Sequence, residues 1–310
     1  MLAEIFPVEV ILDAFDEMAK SNEAQQPSRR PKPKVILFDI GGVCVISPFQ
    51  AILDTELSLG IPPGWINYSI SQTKPNGFWH RLETGSIPMD AAFFAGFNAD
   101  LHSPDRWKAF YTAQAARDPS LPKQVPPMPR IDAEKLFHDM MRGARAPDPW
   151  MFPALKALKA SGQFIVAALS NTVIFPDGHE LAQPDMVGKE LREQFDVFIS
   201  SAHVGLRKPD PRIYELARQK VDEFARANAD TERGRALGWA DGVKAEEIVF
   251  LDDIGENLKA ARNAGFGTIK VLLGRAYEAV DELEKVTGLK LAGDHPRIPI
   301  KPKYPAKAKI

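Results

Sequence analysis

Five short runs of apolar residues punctuate the chain: VILFD at 35–39, FIVAALS at 164–170, DVFIS at 196–200, IVFLDD at 248–253 and GTIKVLL at 267–273. Each is apolar almost throughout rather than alternating, and long stretches of helical character separate them. That pattern predicts a parallel sheet covered on both faces, a doubly wound, Rossmann-like α/β core. Between the first and second runs, residues 54–150 read as mostly helical, with Trp65, Phe78, Trp79, Phe93, Phe94, Phe97, Trp107, Phe110 and Tyr111 as apolar bulk. A crossover helix needs far fewer residues, so this segment is expected to form an inserted helical cap whose core these aromatics fill.

The predicted organisation is therefore a split core, 34–53 and 151–291, around a cap at 54–150. Ahead of it, Ile5, Val8, Ile11, Leu12 and Phe15 recur at helical spacing, and SNEAQQPSRRPKPK has a linker's composition. Residues 1–33 are expected to be a helix, packed on its own domain or against a partner, and a linker. Residues 292–310 are basic and proline-rich, and a loose or surface-hugging tail is expected there. A second insertion, near 219–247, lengthens the connection before the fourth strand.

Composition narrows the classes. Lys and Arg number 39 against 41 Asp and Glu, a formal charge of -2, so no basic excess points to nucleic acid or an anionic membrane surface. No stretch of about 18 uncharged apolar residues occurs, so no membrane span is expected. The single cysteine, Cys44, cannot form an internal disulfide, and the first twenty residues lack a signal peptide's basic start and cleavage site, so a cytoplasmic location is the expectation.

The chemistry gathers at strand ends. Asp39 ends the first strand, Ser170 and Asn171 the second, and Asp252 and Asp253 the fourth, while Lys208 in VGLRKPDPRIYE lies a few residues beyond the third. Ligands of an open parallel sheet bind outside the carboxyl ends of its strands, so these residues are expected to share a crevice. Three crowded carboxylates call for a cation, and oxygen ligands select a hard one such as Mg2+. The six histidines are scattered, with no HExxH spacing and no cysteine partners for zinc.

FDIGGV, LSNT, RKP and FLDDIGEN occur in the order and strand contexts of the four motifs of the haloacid dehalogenase-like superfamily, which the chain resembles from about Lys34 to Leu291. The fuller stretches look most like the N-terminal phosphatase domain of soluble epoxide hydrolase and its stand-alone relatives. The resemblance implies an enzyme that hydrolyses a small phosphorylated molecule. Asp39 would be the nucleophile and form an aspartyl-phosphate. Mg2+ would be held by Asp39, the Gly41 carbonyl, Asp253, and Asp252 directly or through water. Gly41, Gly42, Ser170, Asn171 and Lys208 would hold the phosphoryl group, Lys208 also neutralising charge shared with the nucleophile.

One departure stands out. Phosphatases of this type carry a second Asp two residues after the nucleophile as general acid and base, and here that position is Gly41. Such help is worth roughly 100- to 10,000-fold. Three alternatives follow. A haloacid dehalogenase works without metal and has no use for the acidic pair. A phosphonate hydrolase needs a cap lysine, for which Lys74 and Lys108 are available. A non-catalytic scaffold would keep the fold and bind a phosphorylated ligand. For cap contacts to substrate, KPNGFWHRLETGS is the expected element, with Trp79, His80 and Arg81 as its large side chains.

Overall fold

A computed structural model describes residues 31–304. The helix expected in the first twenty residues lies outside that range. The five apolar runs form one parallel sheet in the order β3-β2-β1-β4-β5. Its first strand, β1, is Val35–Phe38, and every residue of it is buried. Among the described residues the helices that follow are α1 (Pro48–Leu59), α2 (Trp65–Ser71), α3 (Phe78–Glu83), α4 (Ala91–Leu101), α5 (Pro104–Arg117) and α6 (Ala133–Gly143). Next come α7 (Met151–Ala160), β2 (Ile165–Ser170), α8 (Met186–Glu193), β3 (Val197–Ser200) and the short α9 (Ser201–Val204). The remainder runs α10 (Pro211–Ala227), α11 (Glu232–Leu237), β4 (Ile248–Asp252), α12 (Gly255–Asn263), β5 (Gly267–Lys270) and α13 (Ala276–Thr287).

Strand β1 is flanked by β2 and β4 in matching register, Phe38 opposite Ala168 and Leu251. Alternate side chains leave opposite faces of a strand. Accordingly Ile36, Phe38, Val166 and Leu251 join a core with α7 and α13, while Val35, Leu37, Ile165 and Phe250 join a second core with α10 and α12. A third apolar cluster belongs to the segment between β1 and β2. Trp65, Phe93, Phe97, Trp107, Phe110, Tyr111 and Phe137 are buried in it, with Phe78, Trp79 and Phe94 at its margin. The Phe93 and Phe97 rings stack at 5.6 Å, and Trp65 meets Trp107 edge-on at 5.1 Å.

This helical segment is pinned to the strand ends. Gly85 approaches the backbone of Ala202 so closely that a Cβ there would lie 2.3 Å from the Ala202 carbonyl oxygen. Inside the segment, Glu56 of α1 is buried and accepts hydrogen bonds at 2.7 Å from the N–H groups of Gly64 and Ile66. They are amide groups at the start of α2 that no earlier turn of helix can satisfy.

The basic tail is held by specific contacts through residue 303. Trp150 Nε1 donates to the Pro296 carbonyl, the Ile300 N–H to the Gly274 carbonyl, and the Lys303 N–H to Asp54 Oδ1 at 2.7 Å. The stretch near 219–247 completes α10, forms α11, and buries Trp239 beneath the sheet.

Candidate active site

The carboxyl end of β1 delivers Asp39 with little freedom. Its N–H donates to the Leu251 carbonyl at 2.9 Å, and its Oδ1 accepts from the Ile40 N–H at 2.7 Å. Its other oxygen faces Lys208, whose Nζ lies 2.8 Å from Asp39 Oδ2 and 2.7 Å from Asp252 Oδ2. Lys208 has no exposed surface. Burial opposes its charge, and the Asp252 and Asp39 carboxylates more than offset that, holding the ammonium above its usual range.

A clamp between two loops fixes Lys208. Asn171, just past β2, accepts the Lys208 N–H at 2.8 Å and donates from Nδ2 to the Lys208 carbonyl at 3.1 Å. Asn171 therefore positions Lys208, while the second N–H of its amide is not used in this clamp. Ser170 is buried, and among the described residues its hydroxyl engages only the Asn171 carbonyl, at 3.5 Å, so it is lightly held.

Asp252 also holds Lys208 and the turn that follows it. Lys208 Nζ and Asn257 Nδ2 donate to its Oδ2, and the Ile254 N–H and the same Asn257 amide donate to its Oδ1. Asp253 is different, because among the described residues its Oδ2 receives only the Ser47 hydroxyl, at 3.3 Å. Gly42 makes room for it: its φ is +78°, and a Cβ there would lie 2.1 Å from Asp253 Oδ2. Such a φ suits glycine alone without strain. At Gly41 a Cβ would meet only the Pro48 ring, at 3.4 Å.

Oxygens of Asp39, Asp252 and Asp253 lie within 4.8 Å of one another. Three carboxylates against one ammonium leave the cluster short of positive charge. Burial, opposed by Lys208 and reinforced by Asp252, pushes the Asp39 carboxyl up to about 7. Burial and then the two neighbouring carboxylates raise Asp253 well above the carboxylate range. A hard divalent cation fits this set, with Asp39 and Asp253 as its open carboxylates and the Gly41 carbonyl, to which no described backbone N–H donates, beside them.

Three side chains at the site were not singled out from the sequence. Asn257 lies five positions past Asp252, in the first turn of α12, and its amide donates to both Asp252 oxygens. Ser47 precedes a proline at the start of α1, whose Phe49 N–H it caps, and that cap signal is readable. Arg207 carried no such signal. It donates from Nε and from a terminal guanidinium nitrogen to Glu83 Oε2 at 2.8 and 2.7 Å, joining α3 to the lysine loop. Cys44 is fully buried with Sγ against the Asp39 carbonyl at 3.3 Å.

Parallel strand ends, an aspartate paired with a buried lysine and a downstream acidic pair define a hydrolase of one class. The description haloacid dehalogenase-like hydrolase matches residues 33–265, and the chain belongs to that family. Among curated relatives it is 27% identical over 258 residues to acyl-CoA dehydrogenase family member 10 of Mus musculus, and 28% over 256 to bifunctional epoxide hydrolase 2 of Rattus norvegicus. Those matches cover 83% and 82% of this chain but only 19% and 39% of the relatives' own lengths. A sesquiterpene phosphatase of Aspergillus oryzae is 26% identical, with 75% of this chain and 86% of that protein aligned. Among solved structures, an L-2-haloacid dehalogenase from Xanthobacter autotrophicus covers 84% of this chain and 85% of its own at 20% identity, with a TM-score of 0.40. At that level the likeness carries no weight for the chemistry. Among the described residues no helix is long and apolar enough to cross a membrane.

Proposed function

We propose that the chain is a Mg2+-dependent phosphatase that hydrolyses a small phosphorylated molecule through an aspartyl-phosphate on Asp39. The observation that supports this most is the ammonium of Lys208 held between Asp39 and Asp252 with Asp253 beside them. It orients the nucleophile and places fixed positive charge where phosphoryl oxygens gather. Asp39 Oδ2 attacks phosphorus and the bond to the leaving oxygen breaks. Ser170 and the backbone around Gly41 and Gly42 hold the phosphoryl oxygens, and Lys208 shares their charge. Asp39, Asp253 and the Gly41 carbonyl, with Asp252 directly or through water, would hold Mg2+, which would supply the charge that lets an anionic nucleophile approach an anionic substrate. Water then releases phosphate from Asp39.

Metal-free dehalogenation fits less well, since it gives Asp253 no task. A phosphonate hydrolase needs a cap amine in the crevice, and Lys74 pairs with Glu256 at the exposed rim while Lys108 is exposed on α5. Gly41 favours one second reading, a scaffold that binds a phosphorylated ligand without turnover. Phosphate release from sugar, lipid and acyl phosphates, with and without Mg2+, separates these readings. Wild type should release phosphate only with metal, and Asp39→Asn should not. Equal behaviour of the two across the panel sinks the phosphatase reading, and halide release would replace it with the dehalogenase.

A further inference from the structure

With glycine at position 41, no carboxylate stands two residues past the nucleophile to handle protons. The cap segment from Lys74 to Glu83 is tied down at both ends. At one end Lys74 pairs with Glu256 in the first turn of α12, beyond the carboxyl end of β4. At the other, Glu83 takes hydrogen bonds from Arg207, and its carbonyl accepts from Ser201 Oγ at 2.6 Å, beyond the carboxyl end of β3. The sheet order puts β2 and β1 between these anchors. The segment therefore spans the strand ends that carry Ser170 and Asp39.

His80 lies within that span, three residues before Glu83 and so on the same face of α3, the face that meets Arg207. Trp79 beside it turns into the cap core against Phe97 and Phe137, and Arg81 is exposed. His80 itself is 2% exposed. Its Nδ1 is enclosed and has no hydrogen-bond partner, which leaves Nε2 as the nitrogen through which the ring can act. Buried polar groups are paired as a rule, and among the described residues only the indole nitrogens of Trp65 and Trp239, in apolar cores, share this state.

We propose that His80 is the general base of the second half-reaction, taking a proton from the water that attacks phosphorus in the Asp39 aspartyl-phosphate. The inference rests on the phosphatase reading above. An O–H bond of water breaks as its oxygen bonds to phosphorus, and the bond from phosphorus to the Asp39 oxygen breaks, freeing the carboxylate and inorganic phosphate. The proton on His80 then passes to the departing phosphate or to solvent. Burial, then Arg207 and Lys74, bring the imidazole down to about 4, near an ordinary aspartate. It is therefore neutral at working pH and has the basicity of the carboxylate that position 41 lacks. A neutral ring brings no proton to the leaving group, so substrates should be those whose leaving oxygen departs unprotonated, such as acyl, enol and aryl phosphates.

Rapid mixing of the full chain with p-nitrophenyl phosphate and Mg2+ tests this. His80→Asn and His80→Gln should release the first equivalent of nitrophenol at the wild-type rate, then turn over about 100-fold or more slowly. Acid-quenched variant protein should carry hydroxylamine-labile phosphate, and added imidazole should restore turnover in part. Steady-state rates within twofold of wild type would overturn the role of His80 while leaving the phosphatase reading intact. So would equal losses in the first turnover and the steady state in protein that melts like wild type. Phosphate release by Asp39→Asn at the wild-type rate would overturn the reading itself, and the inference with it.

Discussion

Asn171 closes a ring of two hydrogen bonds with the backbone of Lys208, across 37 positions of sequence, and this ring sets where the ammonium sits. Asn171→Ala should leave Lys208 charged and present but loosely placed. A displacement of about 1 Å is enough to cost on the order of 100-fold. The expected result is a fall in kcat of that size with KM little changed, measured on any substrate the wild type hydrolyses.

Lys208→Met removes the ammonium from between two buried carboxylates. Breaking a buried pair by taking one partner costs about 3–5 kcal/mol. Chemical denaturation should show a loss of that order, and Mg2+ should recover part of it by supplying charge to the same oxygens. A variant as stable as wild type without metal would contradict the crowding of Asp39, Asp252 and Asp253.

The paired glycines should respond in opposite ways. Gly42→Ala forces a side chain into a left-handed backbone and onto Asp253, so it should destabilise the protein by about 1–3 kcal/mol and weaken Mg2+ binding. Gly41 has room, and Gly41→Asp should fold. If proton supply to the leaving group limits alkyl phosphates, turnover of those substrates should rise about 100-fold with little change for aryl phosphates. Parallel assays of both substrate types check this.

Glu56 gives a pH signature. Burial raises its carboxyl to about 7, although the Gly64 and Ile66 N–H groups pull it down. In the unfolded chain it titrates near 4.5. Between these values the folded state binds a proton that the unfolded state has lost, so its stabilising contribution is full below pH 4.5 and falls as pH rises toward 7. The loss is about 3 kcal/mol at most. Subtracting the urea stability of Glu56→Gln from that of wild type, from pH 4 to 8, should show this fall; a flat or rising difference would contradict it.

Arg207 and Glu83 join the cap to the lysine loop through buried groups, whereas Lys74 and Glu256 do so at the exposed rim. Arg207→Ala should therefore destabilise by about 3–5 kcal/mol, since Glu83 stays buried without its ion-pair partner, keeping only the Trp79 hydrogen bond. Lys74→Ala should cost less than about 1 kcal/mol. Melting of both variants beside wild type reads the difference.

The sheet was legible because strands buried on both faces, such as Val35–Phe38 and Ile248–Asp252, must be apolar at every position. Asp39, Asp252 and Asp253 stand out in the sequence because each sits at or just past the end of a strand, whereas Lys208 follows β3 only after the short helix α9. What such placement does not reveal is how polar groups divide their hydrogen bonds once together. Asn171 also clamps the backbone of Lys208, and Asp252 also accepts from Asn257, Lys208 and the Ile254 N–H. Glu83 and Arg207 are 124 positions apart, and their meeting depends on how α3 docks, which no periodicity encodes.

The strand order also has a consequence for synthesis. The central strand, β1, is made early but acquires its second neighbour only when residues 248–252 have been translated. Until then a nascent chain carries VILF with an open edge, and Asp39 lacks the Leu251 carbonyl and the Asp252 partner of its lysine. An exposed apolar edge of this kind is a template for misassembly. Ribosome-stalled chains ending before residue 248 should accordingly be sensitive to protease and bound by chaperones, and those extending well past 270 should become resistant together with the site.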